Sequence, residues 1–302
     1  KTMSSLDIQA LTAFIAVADT GSFSAAADRL FLTQPAVSKR IALLESQLNT
    51  PVFDRIRKKI FLTEAGHALL PRAHTILQSL KDAQQAVSDL GGDISGKLAI
   101  AFSHHIGLHR LPPYLKRYSN EQPNVNLDIN FVDSEDGYAK VLDGTSELAV
   151  ITLSPDKRAD IVATPLWHDP LVFVCSPEHP LHLRDNVSLE ELSTMDAIHP
   201  GENTYTGKIV NQLFERQGLS LDASMTTNYL ETIKMMVSIG LGWSVLPKTM
   251  IGSLEQIHIP DVYIERQLGI IEYRGRQKSN AAKAFKSLLI ENANSALTKK
   301  SQ

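Results

Sequence analysis

The sequence has one cysteine, Cys175, among 302 residues. A single cysteine excludes a disulfide framework, or a redox switch between two cysteines of one chain, and it fits a reducing cytoplasm. No apolar run reaches the ~18 residues that indicate a transmembrane helix, and the first residues lack the pattern of a signal peptide. We therefore expect a cytoplasmic protein with no membrane partner, and Cys175, on an apolar strand, is expected in the core.

The motifs of common enzymes are also missing. The sequence contains no G-x-S-x-G elbow, Walker loop, G-x-G-x-x-G fingerprint or H-E-x-x-H zinc motif. Two carboxylate clusters, Glu190-Glu191 and Asp133 with Glu135-Asp136, fall on predicted surface turns. We therefore predict that the protein is not an enzyme and has no cofactor and no metal.

The formal net charge of -3 does not indicate nucleic-acid binding, but the distribution of charge does. Residues 33–59 contain six basic and two acidic residues. A local excess of this kind is the electrostatic footprint of a surface that binds phosphates. The length predicts two or three domains.

Two short helices joined by a tight turn are predicted between Gly21 and Leu48, supported by an earlier helix over Leu6–Thr20. Ser24 is expected to cap the first helix of the pair, and Pro35 lies in the first turn of the second, where a missing N–H is tolerated. The second helix has one buried face, formed by Val37, Ile41, Leu44 and Leu48. Its polar, basic beginning faces outward, which suits entry into a DNA major groove.

A basic hairpin is predicted next, with strands at Val52–Phe53 and Ile60–Leu62. The loop between them carries Arg55, Arg57, Lys58 and Lys59. These side chains have the charge to contact phosphates or a minor groove. The alternative is a solvated charged turn.

A long helix is predicted from Thr63 to Leu90. Its apolar residues alternate at steps of four and three and form one seam: Leu69, Ala73, Ile76, Leu80, Ala83, Val87 and Leu90. Because so narrow a seam cannot bury itself, it predicts pairing with a second copy of the chain. The alternative is a helix that packs on its own domain.

After a glycine-rich hinge at residues 91–96, strands alternate with helices, including one helix predicted from Ile106 to Asn120. This order predicts a parallel α/β sheet. The chain leaves a first lobe near Pro165 and returns to it near Arg266. The predicted fold is therefore α+β followed by α/β, with a two-lobed C-terminal domain resembling periplasmic binding proteins. Its lobes are residues 96–165 with 266–302, and residues 166–265.

Histidines are concentrated where the first strand of this domain ends, at Ser103-His104-His105 and His109. Ligands of open α/β folds bind at the carboxyl ends of strands, and a helix N-terminus attracts anions. Ser103 and His104 are therefore candidate ligand contacts. The alternatives are a purely structural role and, for the i, i+4 pair of His105 and His109, a metal site that lacks a third ligand nearby in the sequence.

The N-terminal stretch resembles the helix-turn-helix of the LysR-type transcriptional regulators. The resemblance rests on motifs at fixed spacing: Gly21-Ser22-Phe23, Ala26-Ala27, Leu30, Gln34-Pro35-Ala36-Val37-Ser38-Lys39, Ile41, Leu44-Glu45, Phe53-Asp54-Arg55 and Leu62-Thr63-Glu64-Ala65-Gly66, with Gly240-Leu241-Gly242 and Leu246-Pro247 near the end. It implies three parts: a winged helix-turn-helix at residues 1–63, a dimerising linker helix with its hinge at 64–95, and an effector-binding domain at 96–302.

The resemblance implies binding to double-stranded promoter DNA at an interrupted inverted repeat. The residues predicted to contact DNA are Ser24, Thr33, Gln34, Pro35, Ala36, Ser38, Lys39, Arg40, Arg55, Arg57 and Lys58. It also implies a dimer, usually associated further into a tetramer, and it allows contact with RNA polymerase.

The resemblance further implies a small effector in the cleft between the lobes. The residues predicted to bind it are Ser103, His104, His105, Asp133, Thr152, Glu202, Asn203 and Thr204. The last two precede a helix, and capping that helix is the alternative role. Hydroxyl, imidazole and amide groups at a helix N-terminus predict an effector that bears a carboxylate. The sequence departs from the family at Ser103-His104-His105, where members often have Ser or Thr, and this leaves the effector class open.

Two other functions fit parts of the sequence. The C-terminal domain alone is compatible with a solute-binding or transport-associated protein. The basic N-terminal region argues against that function. A metabolic enzyme with a helical N-terminal extension is the second alternative. We predict a DNA-binding transcriptional regulator controlled by a small metabolite.

Overall fold

The computed structural model describes residues 6–56 and 59–298. The chain divides into two compact units, which are treated separately. The first contains the residues up to Gly91 together with Asp143–Thr145, and the second contains the rest. None of the helices in the described ranges combines the length and apolarity needed to span a membrane.

The first unit contains three helices packed on one core, α1 (Ile8–Thr20), α2 (Phe23–Leu30) and α3 (Gln34–Leu48). The fully buried residues at the centre come from each of them and include Phe14, Ala26, Val37 and Leu44. The predicted buried face of α3 is confirmed for Val37, Ile41 and Leu44. The other face of α3 is thereby left free.

The helix ends follow local capping chemistry. Gly21 ends α1 with a φ of 63°, and Thr33 caps α3 by accepting a hydrogen bond from the Ala36 N–H. The prediction that Ser24 caps α2 is wrong. Ser22 is the cap, because its extended backbone lets its hydroxyl accept from the Ala25 N–H at 3.3 Å.

A two-stranded wing follows, with β1 (Phe53–Ile56) antiparallel to β2 (Lys59–Leu62). A carboxylate oxygen of Glu45, on α3, accepts hydrogen bonds from the backbone N–H groups of Val52 at 2.9 Å and Phe53 at 3.4 Å. The Phe53 ring packs 5.2 Å from that of Phe14. The wing is therefore attached to the helices by both polar and apolar contacts.

The linker helix α4 (Glu64–Asp89) is capped by Thr63, whose hydroxyl accepts from the Gly66 N–H at 3.0 Å. Leu69 packs on the core of the first unit and Ala73 is fully buried in it. The later members of the predicted seam, Ile76, Leu80, Ala83, Val87 and Leu90, are exposed. The seam therefore begins in the hydrophobic core of the first unit and continues as an uncovered apolar stripe.

Gly66 lies where α4 meets the wing, and we expect Gly66→Ala to destabilise the first unit. A Cβ there would lie 2.2 Å from the Val52 carbonyl oxygen, which also accepts from the Thr63 N–H. Although alanine favours helices, this backbone overlap is expected to lower the free energy of unfolding by ~1–3 kcal/mol. Urea denaturation followed by circular dichroism measures the change.

Gly91→Ala is the matched control for Gly66→Ala. A Cβ at Gly91 meets only the Ser88 carbonyl oxygen, at an ordinary 3.5 Å. This variant is expected to unfold at the same urea concentration as the parent chain. Equal midpoints for Gly66→Ala and the parent would contradict the packing described for α4.

The first lobe of the second unit begins with alternating strands and helices. These are β3 (Gly96–Ser103), α5 (His104–His109), α6 (Pro112–Glu121), β4 (Val125–Val132), α7 (Ser134–Leu142) and β5 (Leu148–Thr152). β3 is parallel to both β4 and β5, which confirms the predicted parallel order for these three strands. The other strands of the same sheet pair antiparallel, so the sheet is mixed rather than parallel throughout. The single helix predicted over Ile106–Asn120 is wrong: Pro112 begins a new helix, because proline lacks the N–H that an unbroken helix needs.

Two long antiparallel strands connect the lobes, β6 (Ile161–Cys175) and β11 (Ile264–Tyr273). The first of them starts at Ile161 and runs through the predicted lobe boundary near Pro165. Pro165 does not end it, because the proline lies beside an irregularity in the pairing with Leu268 and Gly269. With two short strands described below, β9 (Ser244–Pro247) and β10 (Glu255–Gln256), the sheet has seven strands. Their order is β10-β6-β11-β5-β3-β4, with β9 paired to β6.

The second lobe contains the remaining described elements before β11. They are a 3₁₀ turn (Pro180–Leu183), α8 (Leu189–Ser193), β7 (Ala197–His199), α9 (Tyr205–Glu215), β8 (Ala223–Thr226), α10 (Leu230–Ser238), β9 (Ser244–Pro247), a 3₁₀ turn (Lys248–Met250) and β10 (Glu255–Gln256). The last described helix is α11 (Asn280–Thr298), whose Phe285 and Leu289 are fully buried in the core of the first lobe. The two lobes thus share a sheet and have separate cores.

Candidate functional site

The first candidate site is the N-terminal end of α3. Pro35 and Lys39 are exposed and Ser38 is half-buried. The Gln34 side-chain amide donates a hydrogen bond to the Ser38 hydroxyl at 3.3 Å. This end of the helix therefore presents an amide, a hydroxyl and a cation, which are the groups that contact base edges and phosphates in a major groove.

The other residues predicted to contact DNA have different surroundings. Ser24, Thr33 and Gln34 are exposed, whereas Ala36 and Arg40 are half-buried. Arg40 donates to the Gln9 side chain at 2.8 Å, so this arginine lies on the flank of α3 and contacts α1. Arg57 and Lys58 lie outside the described residues, as does the side chain of Arg55. Sequence analysis gave no role to Phe31, which ends α2 with a φ of 55° and is 96% exposed.

The second candidate site is a cleft between the two lobes of the second unit. The carboxyl ends of β3, β4 and β5 meet on one side of it, since these strands are parallel, and the starts of α9 and α10 form the other side. Its lining residues are Ser103, His104, His105, Val132, Asp133, Ser134, Glu135, Thr152, Pro200, Thr204, Tyr205, Thr206, Asn228, Leu230 and Arg266. The position agrees with the rule that places ligands at strand carboxyl ends.

Two carboxylates of the first lobe accept hydrogen bonds from the second lobe. Glu135 accepts from the backbone N–H of Tyr205, the first residue of α9, at 2.6 Å. Asp133 accepts from the side-chain amide of Asn228 at 2.7 Å. Burial raises the pKa of Glu135, so this carboxylate is desolvated as well as hydrogen-bonded. These bonds join the lobes across the cleft.

Aromatic rings also meet across the cleft. The His104 ring lies between Phe131 of the first lobe, at a centroid distance of 6.1 Å, and Tyr229 of the second, at 4.9 Å. Phe131 and Tyr229 are each 50% exposed. A ligand that enters the cleft therefore passes aromatic as well as polar side chains.

A buried ion cluster underlies the cleft. Asp169, on β6, accepts hydrogen bonds from Arg266 and from Arg110, each at 2.8 Å. Arg266 also donates to the Thr206 hydroxyl at 3.0 Å. Its remaining nitrogen, Nη2, is buried and has no hydrogen-bond partner among the described residues. The guanidinium of Arg266 therefore offers an unsatisfied donor in the lining of the cleft.

The structure brings six of the eight predicted effector residues to the cleft: Ser103, His104, His105, Asp133, Thr152 and Thr204. Glu202 and Asn203 are exposed and do not line it. The capping role is confirmed for Thr204, whose hydroxyl accepts from the Gly207 N–H at 3.0 Å. Arg266 was not among the predicted residues. Its strand also carries Glu265 and Glu272, so a charged residue at this position gave no distinct signal.

Cys175 is fully buried on β6, as predicted. Burial, followed by the nearby charge of Glu255, raises the pKa of its thiol to about 11. Because the thiolate is the reactive form, this cysteine is unreactive near neutral pH.

Comparisons with known proteins identify the domains that carry the two candidate sites. The family model described as "Bacterial regulatory helix-turn-helix protein, lysR family" matches residues 8–67, and the model described as "LysR substrate binding domain" matches residues 91–294. Together the two models span both compact units.

Individual proteins similar to this chain are transcriptional regulators or share its fold. An uncharacterized HTH-type transcriptional regulator from the ibpB-leuC intergenic region of Azotobacter vinelandii is 63% identical over 108 residues, 36% of this chain and 75% of that protein. The HTH-type transcriptional activator CmpR of Synechocystis is 29% identical over 90% of this chain and 91% of its own length. A full-length OxyR variant from Pseudomonas aeruginosa shares the fold, with a TM-score of 0.68 and 21% identity over 95% of this chain and 98% of that chain.

Proposed function

The chain belongs to the LysR family of bacterial transcriptional regulators, and from this premise we propose that the tip of α3 reads promoter DNA while a small carboxylate in the cleft controls the protein. The family consists of DNA-binding regulators that respond to small molecules, not of enzymes. A regulator that works on bacterial promoters works in the cytoplasm. One observation carries the proposal. One face of α3 is buried, whereas the polar and cationic N-terminal end of the helix, called the tip of α3 here, is exposed.

DNA binding is assigned to the first turns of α3. Pro35 and Ser38 would meet base edges, and Lys39 a phosphate or a guanine. Thr33 caps the helix, so its hydroxyl is already used by the Ala36 N–H. Arg40 would reach DNA only by leaving Gln9, and we therefore expect it to contribute less than Lys39.

Pairing is assigned to the exposed part of the seam on α4. Ile76 is 42% and Val87 70% exposed in the single chain, and both would be covered by a second copy of the helix. Two heads related by a twofold axis bind two inverted half-sites. We therefore expect an interrupted inverted repeat as the operator. We also expect such a dimer to associate into a tetramer and to contact RNA polymerase.

The effector class follows from the unsatisfied nitrogen of Arg266. A buried guanidinium donor has its best partner in a carboxylate, and the Thr206 hydroxyl and the start of α9 lie beside it. Asp133 and Glu135 repel a second negative charge and are already bonded to the second lobe. We therefore propose a ligand with one carboxylate directed at Arg266 and an uncharged part directed at Ser103 and His104. Binding would favour one arrangement of the lobes.

A thermal-shift screen of organic and amino acids tests this assignment. We expect one carboxylic acid to stabilise the full chain, whereas its carboxamide analogue binds about tenfold more weakly or worse, since a charge-assisted hydrogen bond is lost. Thr206→Val, which removes the neighbour of Arg266, should weaken binding in the same direction. Thr145→Val, outside the cleft, is the control. Equal stabilisation by the acid and the amide would contradict a carboxylate effector.

A further inference from the structure

Three metal-ligating side chains meet at the edge of the cleft. His105 and His109 lie one turn apart on α5 of the first lobe, and Glu231 lies in the first turn of α10 of the second. One nitrogen from each imidazole and one carboxylate oxygen all lie within 4.8 Å of one another. The rings of the two histidines are 4.9 Å apart.

The separations between these atoms are near those of a metal site. Nε2 of His109 is 2.6 Å from Oε1 of Glu231, and Nδ1 of His105 is 4.0 Å from the same oxygen. Ligands at ~2.1 Å from a tetrahedral metal are ~3.4 Å apart, which lies between the two values. Small side-chain rotations would therefore equalise the distances.

His105 is unusual because it is buried without partners. It is 6% exposed, and neither ring nitrogen has a hydrogen-bond partner among the described residues. Buried polar groups are normally satisfied. A metal ion bound to one of these nitrogens would give this buried ring the polar partner that it lacks.

We propose that His105, His109 and Glu231 bind one divalent transition-metal ion, best matched by Zn²⁺, which connects the two lobes beside the cleft. Two imidazoles and a carboxylate with an open fourth position are a ligand set that proteins use for zinc. The carboxylate of Glu231 would offset part of the metal charge. The proposal does not depend on the identity of the effector.

The binding test uses Co²⁺ as a spectroscopic probe on the full chain, prepared without a polyhistidine tag and treated with a chelator. We expect visible d–d absorption that saturates at one Co²⁺ per chain and disappears on adding Zn²⁺. Zn²⁺ alone should also raise the unfolding temperature, because it binds the folded state.

Variants separate this site from adventitious binding. His109→Gln and Glu231→Gln are expected to weaken Co²⁺ binding about tenfold or more, since even groups that only orient ligands change affinity by about that factor. Both side chains are partly exposed, so these variants should fold. His168→Gln is the control, because His168 pairs with a carboxylate, Glu265, on the surface at 3.2 Å and should leave binding unchanged.

Two results would overturn the proposal. One is the absence of saturable Co²⁺ absorption in the parent chain. The other is Co²⁺ affinity in His109→Gln and Glu231→Gln equal to that of the parent, which would assign the binding to other surface histidines.

Discussion

Lys39→Glu is expected to weaken binding to operator DNA about 100-fold. The side chain is exposed at the tip of α3, and each reading head of a pair would contribute one copy. A charge-assisted hydrogen bond contributes ~1.5 kcal/mol or more, so two copies give ~3 kcal/mol, and the new carboxylate adds repulsion from phosphate. Fluorescence anisotropy with a labelled operator duplex measures the affinity at fixed salt.

Lys116→Glu is the control, because it makes the same change in net charge on α6 of the other unit, where the lysine is also exposed. It is expected to bind operator DNA nearly as the parent does. The dependence of affinity on salt should become shallower for Lys39→Glu alone. Equal losses in the two variants would mean that net charge, rather than the tip of α3, determines binding.

Asp169→Ala is expected to destabilise the second unit by ~3–5 kcal/mol. The carboxylate is fully buried and accepts one hydrogen bond from each of two arginines. Its removal leaves the buried guanidinium of Arg266 without a counter-charge, whereas Arg110, about a quarter exposed, still reaches water. Urea denaturation of the full chain measures the effect.

A double variant separates charge from packing. Asp169→Leu combined with Arg266→Met replaces the pair by apolar side chains and is expected to lose less stability than Asp169→Ala alone. Asp160→Ala is the surface control, since this carboxylate pairs with Arg158 in solvent and should leave the midpoint almost unchanged. A urea midpoint for Asp169→Ala equal to that of the parent would contradict a stabilising role for the ion cluster.

The fold was largely predictable because its signals are local. The steps of three and four in α3, the alternating polar and apolar residues of β4 and the apolar run of β5 each specify their structure within a few residues. The errors have local causes too. Pro112 ends a helix that apolar spacing alone would continue, and Pro165 is tolerated in a strand because of the pairing irregularity beside it.

The sites were predictable only in part, because their contacts are distant in sequence. Ser103 and His104 were predictable because they lie at the end of a strand, where ligands of such folds bind. Arg266 could not be assigned, since its counter-ion, Asp169, lies 97 residues away. Likewise the spacing of His105 and His109 suggests a metal pair, but Glu231 is 122 residues beyond His109 and only the packing of the two lobes brings it close.

The seam on α4 shows a further limit to what can be predicted from apolar spacing. Its spacing is regular from Leu69 to Leu90, yet the same pattern serves two purposes. Ala73 is buried within its own chain, whereas Leu80 and Val87 are exposed. Spacing identifies an apolar stripe but does not state which partner covers each part of it.

The most direct measurement is selection of bound sequences from random DNA duplexes by the purified full chain, followed by footprinting of the enriched duplex. We predict two half-sites arranged as an interrupted inverted repeat, both protected by the parent chain and both lost with Lys39→Glu. Failure to enrich any sequence, or full protection by Lys39→Glu, would contradict the reading of DNA by the tip of α3.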